Sequence, residues 1–152
     1  MNALAMITAL KKDLQETFDS FRFEDKKTRV AFYLQNEPRI IGENEENEPE
    51  PCQIVKLGNG SVSTGPDGNI AHAVVIIKCS DKSEERQGWQ DVHNQIDRII
   101  TRYIRNPVFG GKYEVQKLNW MHADDDPYPI CLGGVELEVK LPDIEVEGTE
   151  YD

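Results

Sequence analysis

The stretch Ile70–Ser80, IAHAVVIIKCS, is apolar almost without interruption and rich in β-branched side chains. It is far too short to cross a bilayer, which takes roughly 20 apolar residues. The turn-forming run NGSVSTGPDGN precedes it, with glycines for positive φ and Pro66-Asp67-Gly68 for a tight reversal. A short continuous apolar run bounded by turn residues is the pattern of a strand covered on both faces. It predicts a central strand with paired neighbours on each side.

A second strand shows a different pattern. In GGVELEVKLPDI, Val135, Leu137, Val139 and Leu141 alternate with Glu136, Glu138 and Lys140, so one face is buried and one is wet. Thr28–Leu34 (TRVAFYL), Cys52–Gly58 (CQIVKLG) and Gly110–Trp120 (GGKYEVQKLNW) also read as strands, the last following a glycine turn. Two amphipathic helices complete the set. Leu4, Ile7, Leu10, Leu14 and Phe18 mark the first. Trp89, Val92, Ile96, Ile99, Ile100 and Tyr103 mark the second. Ser83 is placed to cap that second helix, Glu84 and Glu85 suit its first turn, and Arg102 and Arg105 suit its last turn before Asn106-Pro107 stops it. The order predicts a single α+β domain over residues 1–152: one mostly antiparallel sheet with two helices on one face.

Three segments carry no such periodicity. Residues 35–51 are dense in glutamate between prolines and predict an acidic mobile loop, 58–69 a glycine-rich loop, and 146–152 a frayed acidic tail. The formal net charge of −11 argues against free-standing nucleic-acid or membrane-surface binding, which need concentrated positive charge. Cys52, Cys79 and Cys131 are odd in number and scattered, which points to reduced thiols rather than a disulfide or zinc framework. The N-terminal MNALAMITALKKDLQ lacks the charge order of a signal peptide, so an intracellular setting is expected.

Motifs for chemistry are weak. Gly60 to Gly65 has the spacing of a phosphate-binding loop, but Pro66-Asp67 stand where a lysine and a hydroxyl are required. His122 with Asp124, Asp125 and Asp126 offers ligand types for a divalent cation, without the looping pattern that lets sequence neighbours converge on one ion. His72 and His93 read as packed histidines, and no serine sits in a nucleophile elbow. Glutamates in a flexible loop cannot hold the fixed separation that acid/base catalysis demands. No cofactor and no enzymatic activity are expected. Trp89 reads as core, whereas Trp120 and Tyr128 flank the acidic triplet at the sheet edge, where aromatics beside charge mark an interface.

GWQDVHNQIDRI (Gly88 to Ile99), GGKYEVQKLNW (Gly110 to Trp120) and DDPYPICLGGVELEVKLPDIE (Asp125 to Glu145) together resemble the C-terminal half of the tail-terminator, or tail-completion, proteins of tailed bacteriophages and prophages. The matching positions are Gly88-Trp89 with Asp91, Gly110-Gly111 with Trp120, Pro127-Tyr128-Pro129, and Pro142 with Ile144. This chain departs from the pattern at Ile130-Cys131-Leu132 and Gly133-Gly134, where aromatics are common, and in its long acidic loop. The resemblance implies a structural virion protein, assembled in the host bacterial cytoplasm. It would form a ring, typically six-fold, that caps the tail tube, ends its polymerisation and joins tail to head and neck. Its partners would be other copies of itself, the tube protein and a head-completion or neck protein, with DNA only passing through the lumen and no membrane contact. The expected assembly interface comprises Trp120, Asp124, Asp125, Asp126 and Tyr128, with Glu43, Glu45, Glu46 and Glu48 of the acidic loop. Another head-tail connector, a tube-like component, or a divalent-metal enzyme using Asp124–Asp126 are the competing readings.

Overall fold

In a computed structural model, the structure describes residues 2–21, 29–36, 51–65, 68–80, 88–123 and 130–142. Helix α1 (Asn2–Thr17) is followed by strands β1 (Ala31–Leu34), β2 (Cys52–Val62) and β3 (Asn69–Ser80). Helix α2 (Gly88–Arg105), the two-residue β4 (Val108–Phe109), β5 (Tyr113–His122) and β6 (Ile130–Leu141) complete the chain. The strands form one six-stranded sheet in the order β1-β2-β3-β6-β5-β4. Every neighbouring pair is antiparallel except β1 and β2, which run parallel with Ala31 beside Cys52. The α+β class with a mostly antiparallel sheet is therefore what the chain adopts.

The two helices share one face of the sheet. From α1, Met6, Ile7, Leu10 and Leu14 meet the core, followed by Phe18 just past the helix end; α2 adds Val92, Ile96, Ile99 and Tyr103. The sheet answers with Ala71, Ala73, Val75 and Ile77 of β3 and Val135, Leu137 and Val139 of β6. Burying a large aliphatic side chain contributes about 1.5–3 kcal/mol, so this single layer of contacts is the main source of stability.

β3 is central, as its apolar run predicts, yet it is not covered on both faces. Its residues alternate strictly between buried and half-buried. The neighbours β2 and β6 satisfy its backbone, while the helices cover only the face bearing Ala71, Ala73, Val75, Ile77 and Cys79. Ile70, Val74 and Ile76 on the other face stay partly accessible beside His72 and Lys78, within the apolar exposure any folded surface carries.

Other element limits also shift. The strand expected over Thr28–Leu34 is confined to Ala31–Leu34. β2 runs on through Val62, so the first part of the expected glycine loop is strand, and only a turn separates it from β3. Val62 pairs with Asn69 after a bulge between Leu57 and Gly60, and a Cβ at Gly60 would lie 2.7 Å from the Ile70 carbonyl oxygen. Pairing along β3 overrides the low strand preference of glycine there. Gly110 and Gly111, at φ 58° and 74°, make the reversal between β4 and β5 that the GG pair predicts.

Trp89 and Leu4 are corrections: both were expected in buried stripes, and they are 51% and 65% exposed. On α2 the buried residues are Gly88, Val92, Gln95, Ile96, Ile99 and Tyr103, and Trp89, in the first turn, stands outside that set. The acidic run 37–50, the cap at Ser83 with Glu84 and Glu85, the Pro127-Tyr128-Pro129 corner and the tail 146–152 lie outside the described residues.

Candidate assembly interface

The site is built where the N-terminal half of α2 crosses the end of β5. On β5, register sets Trp120 opposite Val135 and His122 opposite Gly133 of β6, so both project on the helix-bearing side. Gly133 lets the helix come close: a Cβ there would sit 2.5 Å from Val92 Cγ1. His93, the residue after Val92, thereby reaches His122.

His93 Nδ1 and His122 Nε2 are 3.0 Å apart. The ring centroids are 5.2 Å apart with 18° between the planes. That separation is close to the nitrogen contact plus two ring radii, so the imidazoles meet end to end rather than face to face. One nitrogen must donate and the other accept, so the pair shares a single proton. Asp97, one turn along α2, places Oδ1 3.5 Å from His93 Nε2. Its negative charge favours hydrogen on that nitrogen, which leaves His93 Nδ1 to accept from His122 Nε2–H.

Trp120 meets both rings in T-shaped geometry, at 5.2 Å and 80° from His93 and 6.0 Å and 83° from His122. It remains 53% exposed. Trp89 lies one helical turn before His93 on the same side of α2, and Met121 is 45% exposed on the neighbouring strand position. β4 pairs with β5 only at Val108–Glu114 and Phe109–Tyr113, so from Lys117 to His122 the outer edge of β5 has no strand partner among the described residues. The result is an amphipathic surface of indole and imidazole beside an open sheet edge. Large, rigid aromatics with few rotatable bonds lose little entropy when a partner covers them.

Of the expected interface residues, Trp120 stands on this surface. Asp124, Asp125, Asp126 and Tyr128, and Glu43, Glu45, Glu46 and Glu48, lie outside the described residues. Sequence reasoning missed His93, His122 and Trp89. Two spacings could have found them: Trp89 and His93 at i and i+4 on a helix, and Trp120 and His122 at i and i+2 on a strand. Among the described residues no group of three or more His, Cys, Asp or Glu side chains could hold a metal ion. No helix is long and apolar enough to cross a membrane, a statement limited to the same residues.

No family model matches the chain. No curated protein matches it either. One solved protein chain, which carries an identifier rather than a descriptive name, is similar over 88% of this chain and 96% of its own length, at 13% sequence identity and a TM-score of 0.50. At that identity the likeness bears on the fold alone, and it agrees with the two-helix, six-stranded α+β architecture described above.

Proposed function

We propose that the protein is a structural component of a phage virion: a tail terminator that forms a ring, six-fold in the family it resembles, on the last layer of the tail tube. The ring ends tube polymerisation and offers the head-neck complex a new face. Its partners are other copies of the chain, the tube protein and a neck protein, with DNA passing through the lumen. The protein assembles in the host bacterial cytoplasm and resides at the neck of the virion, and it needs neither a cofactor nor a catalytic step.

One observation carries this reading. The chain has two tryptophans, and both are half-exposed around the same junction of α2 and β5. Tryptophan is the most enriched residue at the energetic centres of interfaces, and burying such side chains on a partner contributes roughly 2 kcal/mol or more each. The motif positions give independent support: Gly88 opens α2, Gly110-Gly111 form the turn into β5, and Trp120 stands near that strand's end.

The test is negative-stain electron microscopy with sedimentation velocity, on the protein alone and mixed with a tail-tube protein from the same genome. Rings that cap tube ends are expected. Trp120→Ala and Trp89→Ala should abolish ring formation while leaving the monomer's thermal midpoint nearly unchanged. A monomer at every concentration, with and without tube protein, overturns the reading.

A further inference from the structure

α2 carries a second feature at its other end. Arg98, Arg102 and Arg105 repeat at spacings of four and three, which aligns them along one side of the C-terminal half of the helix. With Thr17, Asp97, Thr101 and Asn106 they line an open groove of about 670 Å³ beside the end of α1. Two of the guanidiniums are fixed in place. Arg98 donates from Nε to the Thr17 carbonyl at 3.0 Å and from Nη2 to Ser20 Oγ at 3.1 Å, with its plane against Phe18 and Phe21. Arg102 donates from Nη1 to the Asn106 carbonyl at 2.6 Å and from Nη2 to Asp13 Oδ1 at 3.0 Å. A guanidinium has five N–H donors, and these bonds use only some of them. Arg105 is exposed and forms no ion pair with a described residue. Among the described residues that line the groove Asp97 is the one carboxylate, and Asp13 pairs with Arg102 from outside the lining, so three arginines still exceed two carboxylates there in a chain whose net charge is −11.

We infer that this groove receives the acidic segment of a second copy of the chain, residues 43–50, which bring Glu43, Glu45, Glu46, Glu48 and Glu50 within eight positions. The inference rests on the ring reading above and names its subunit contact. Charge complementarity selects the occupant: no other eight-residue window of the sequence holds five carboxylates, and the groove aligns three arginines. Pre-fixed guanidiniums lose little freedom on meeting carboxylates and can hold them in bidentate fashion. The segment lies between β1 and β2 in the chain, so the mixing experiment below is what separates a contact between copies from one within a single chain. A ring requires such a heterologous contact, one patch on each subunit meeting a different patch on the next.

The experiment uses two full-length variants, each altered only at groove-lining exposed positions or in the acidic segment. The first carries Thr101→Glu and Arg105→Glu in the groove; the second carries Glu43→Lys, Glu45→Lys, Glu46→Lys and Glu48→Lys. Self-association is measured by sedimentation velocity at low and high salt, with monomer melting as the folding control. Wild-type association should weaken with salt, and each variant alone should associate about tenfold more weakly or less. An equimolar mixture should recover association, because alternating the two variants pairs every reversed groove with a reversed segment and every native groove with a native one. Wild-type association that persists in both variants overturns the inference while leaving the ring reading intact. Variants that alter monomer melting but not association place the segment on its own chain's groove, and this also overturns it. A mixture that stays dissociated overturns it as well. Absence of rings in every protein, with tube protein present, removes the ring reading itself.

Discussion

Gln53 on β2 donates from Nε2 to Gln95 Oε1 on α2 across 2.9 Å, with both residues fully buried. Gln95 Nε2 in turn points to Cys79 Sγ at 3.2 Å and to the Asp91 carbonyl at 3.3 Å. This polar link joins the helix layer to the sheet inside an otherwise apolar core. Gln95→Leu should destabilise the protein by about 1–3 kcal/mol, because it strands the Gln53 amide without its partner. The double variant Gln53→Leu/Gln95→Leu should cost less than the two single changes added together, since no orphaned polar group is left. Urea unfolding of all four proteins measures the coupling.

Asp13 ties α1 to α2 with both carboxylate oxygens. Oδ1 accepts from Arg102 at 3.0 Å and Oδ2 from the Tyr103 hydroxyl at 2.8 Å. Asp13→Ala should cost about 1–3 kcal/mol, since the tyrosine hydroxyl and part of the guanidinium lose their acceptor. Asp13→Asn keeps one acceptor oxygen and should fall between that variant and the wild type in thermal melts.

Alkaline pH should destabilise the fold through two buried groups. Burial pushes the Cys79 thiol from 9.0 up to about 12, against a smaller opposite pull from the Gln95 amide. Burial, and then the Asp13 carboxylate, raises the Tyr103 hydroxyl as well. In both cases the folded state holds its proton more tightly than the unfolded chain. The stabilisation is complete below the unfolded value and is lost as pH climbs towards the folded one, so for Cys79 stability should decline between about pH 9 and 12. Denaturant midpoints at stepped pH should show this slope, and Cys79→Val should flatten it. The Cys79 thiol should resist alkylation at pH 8 until the protein is unfolded.

Gly133→Ala should cost about 1–3 kcal/mol by overpacking, since its Cβ would lie 2.5 Å from Val92 Cγ1 and 3.0 Å from the Met121 carbonyl oxygen. Pushing α2 off β6 would also separate His93 from His122, so the variant should weaken assembly as well as folding. Pairing Gly133→Ala with Val92→Ala opens the space again and should recover part of both losses.

Much of the fold was legible because alternation and helical spacing are local. Val135, Leu137, Val139 and Leu141 are all buried, as their alternation requires, and Ile7, Leu10, Leu14 and Phe18 form the stripe their spacing predicts. The failure at Trp89 has a physical cause. Val92, Ile96, Ile99 and Tyr103 are buried as their spacing predicts, but the real stripe of α2 begins at Gly88 and includes Gln95, two residue types with no apolar signal, so the large indole beside Gly88 is counted in its place. The candidate site was less legible. Trp120 could be suspected from its acidic neighbours, but nothing local announces that His122 will meet His93, 29 positions away.

The sequence alone therefore determined the class of the protein: where chain segments are periodic, which period they follow, and that a sheet with a helical layer must bury them. Only the tertiary structure decided which side chains were left outside and which were brought together. Those outcomes depend on strand register and on how closely α2 approaches β6 at Gly133. Both are set by the sum of many long-range contacts, and a shift of one residue would send Trp120 and His122 to the opposite face of the sheet.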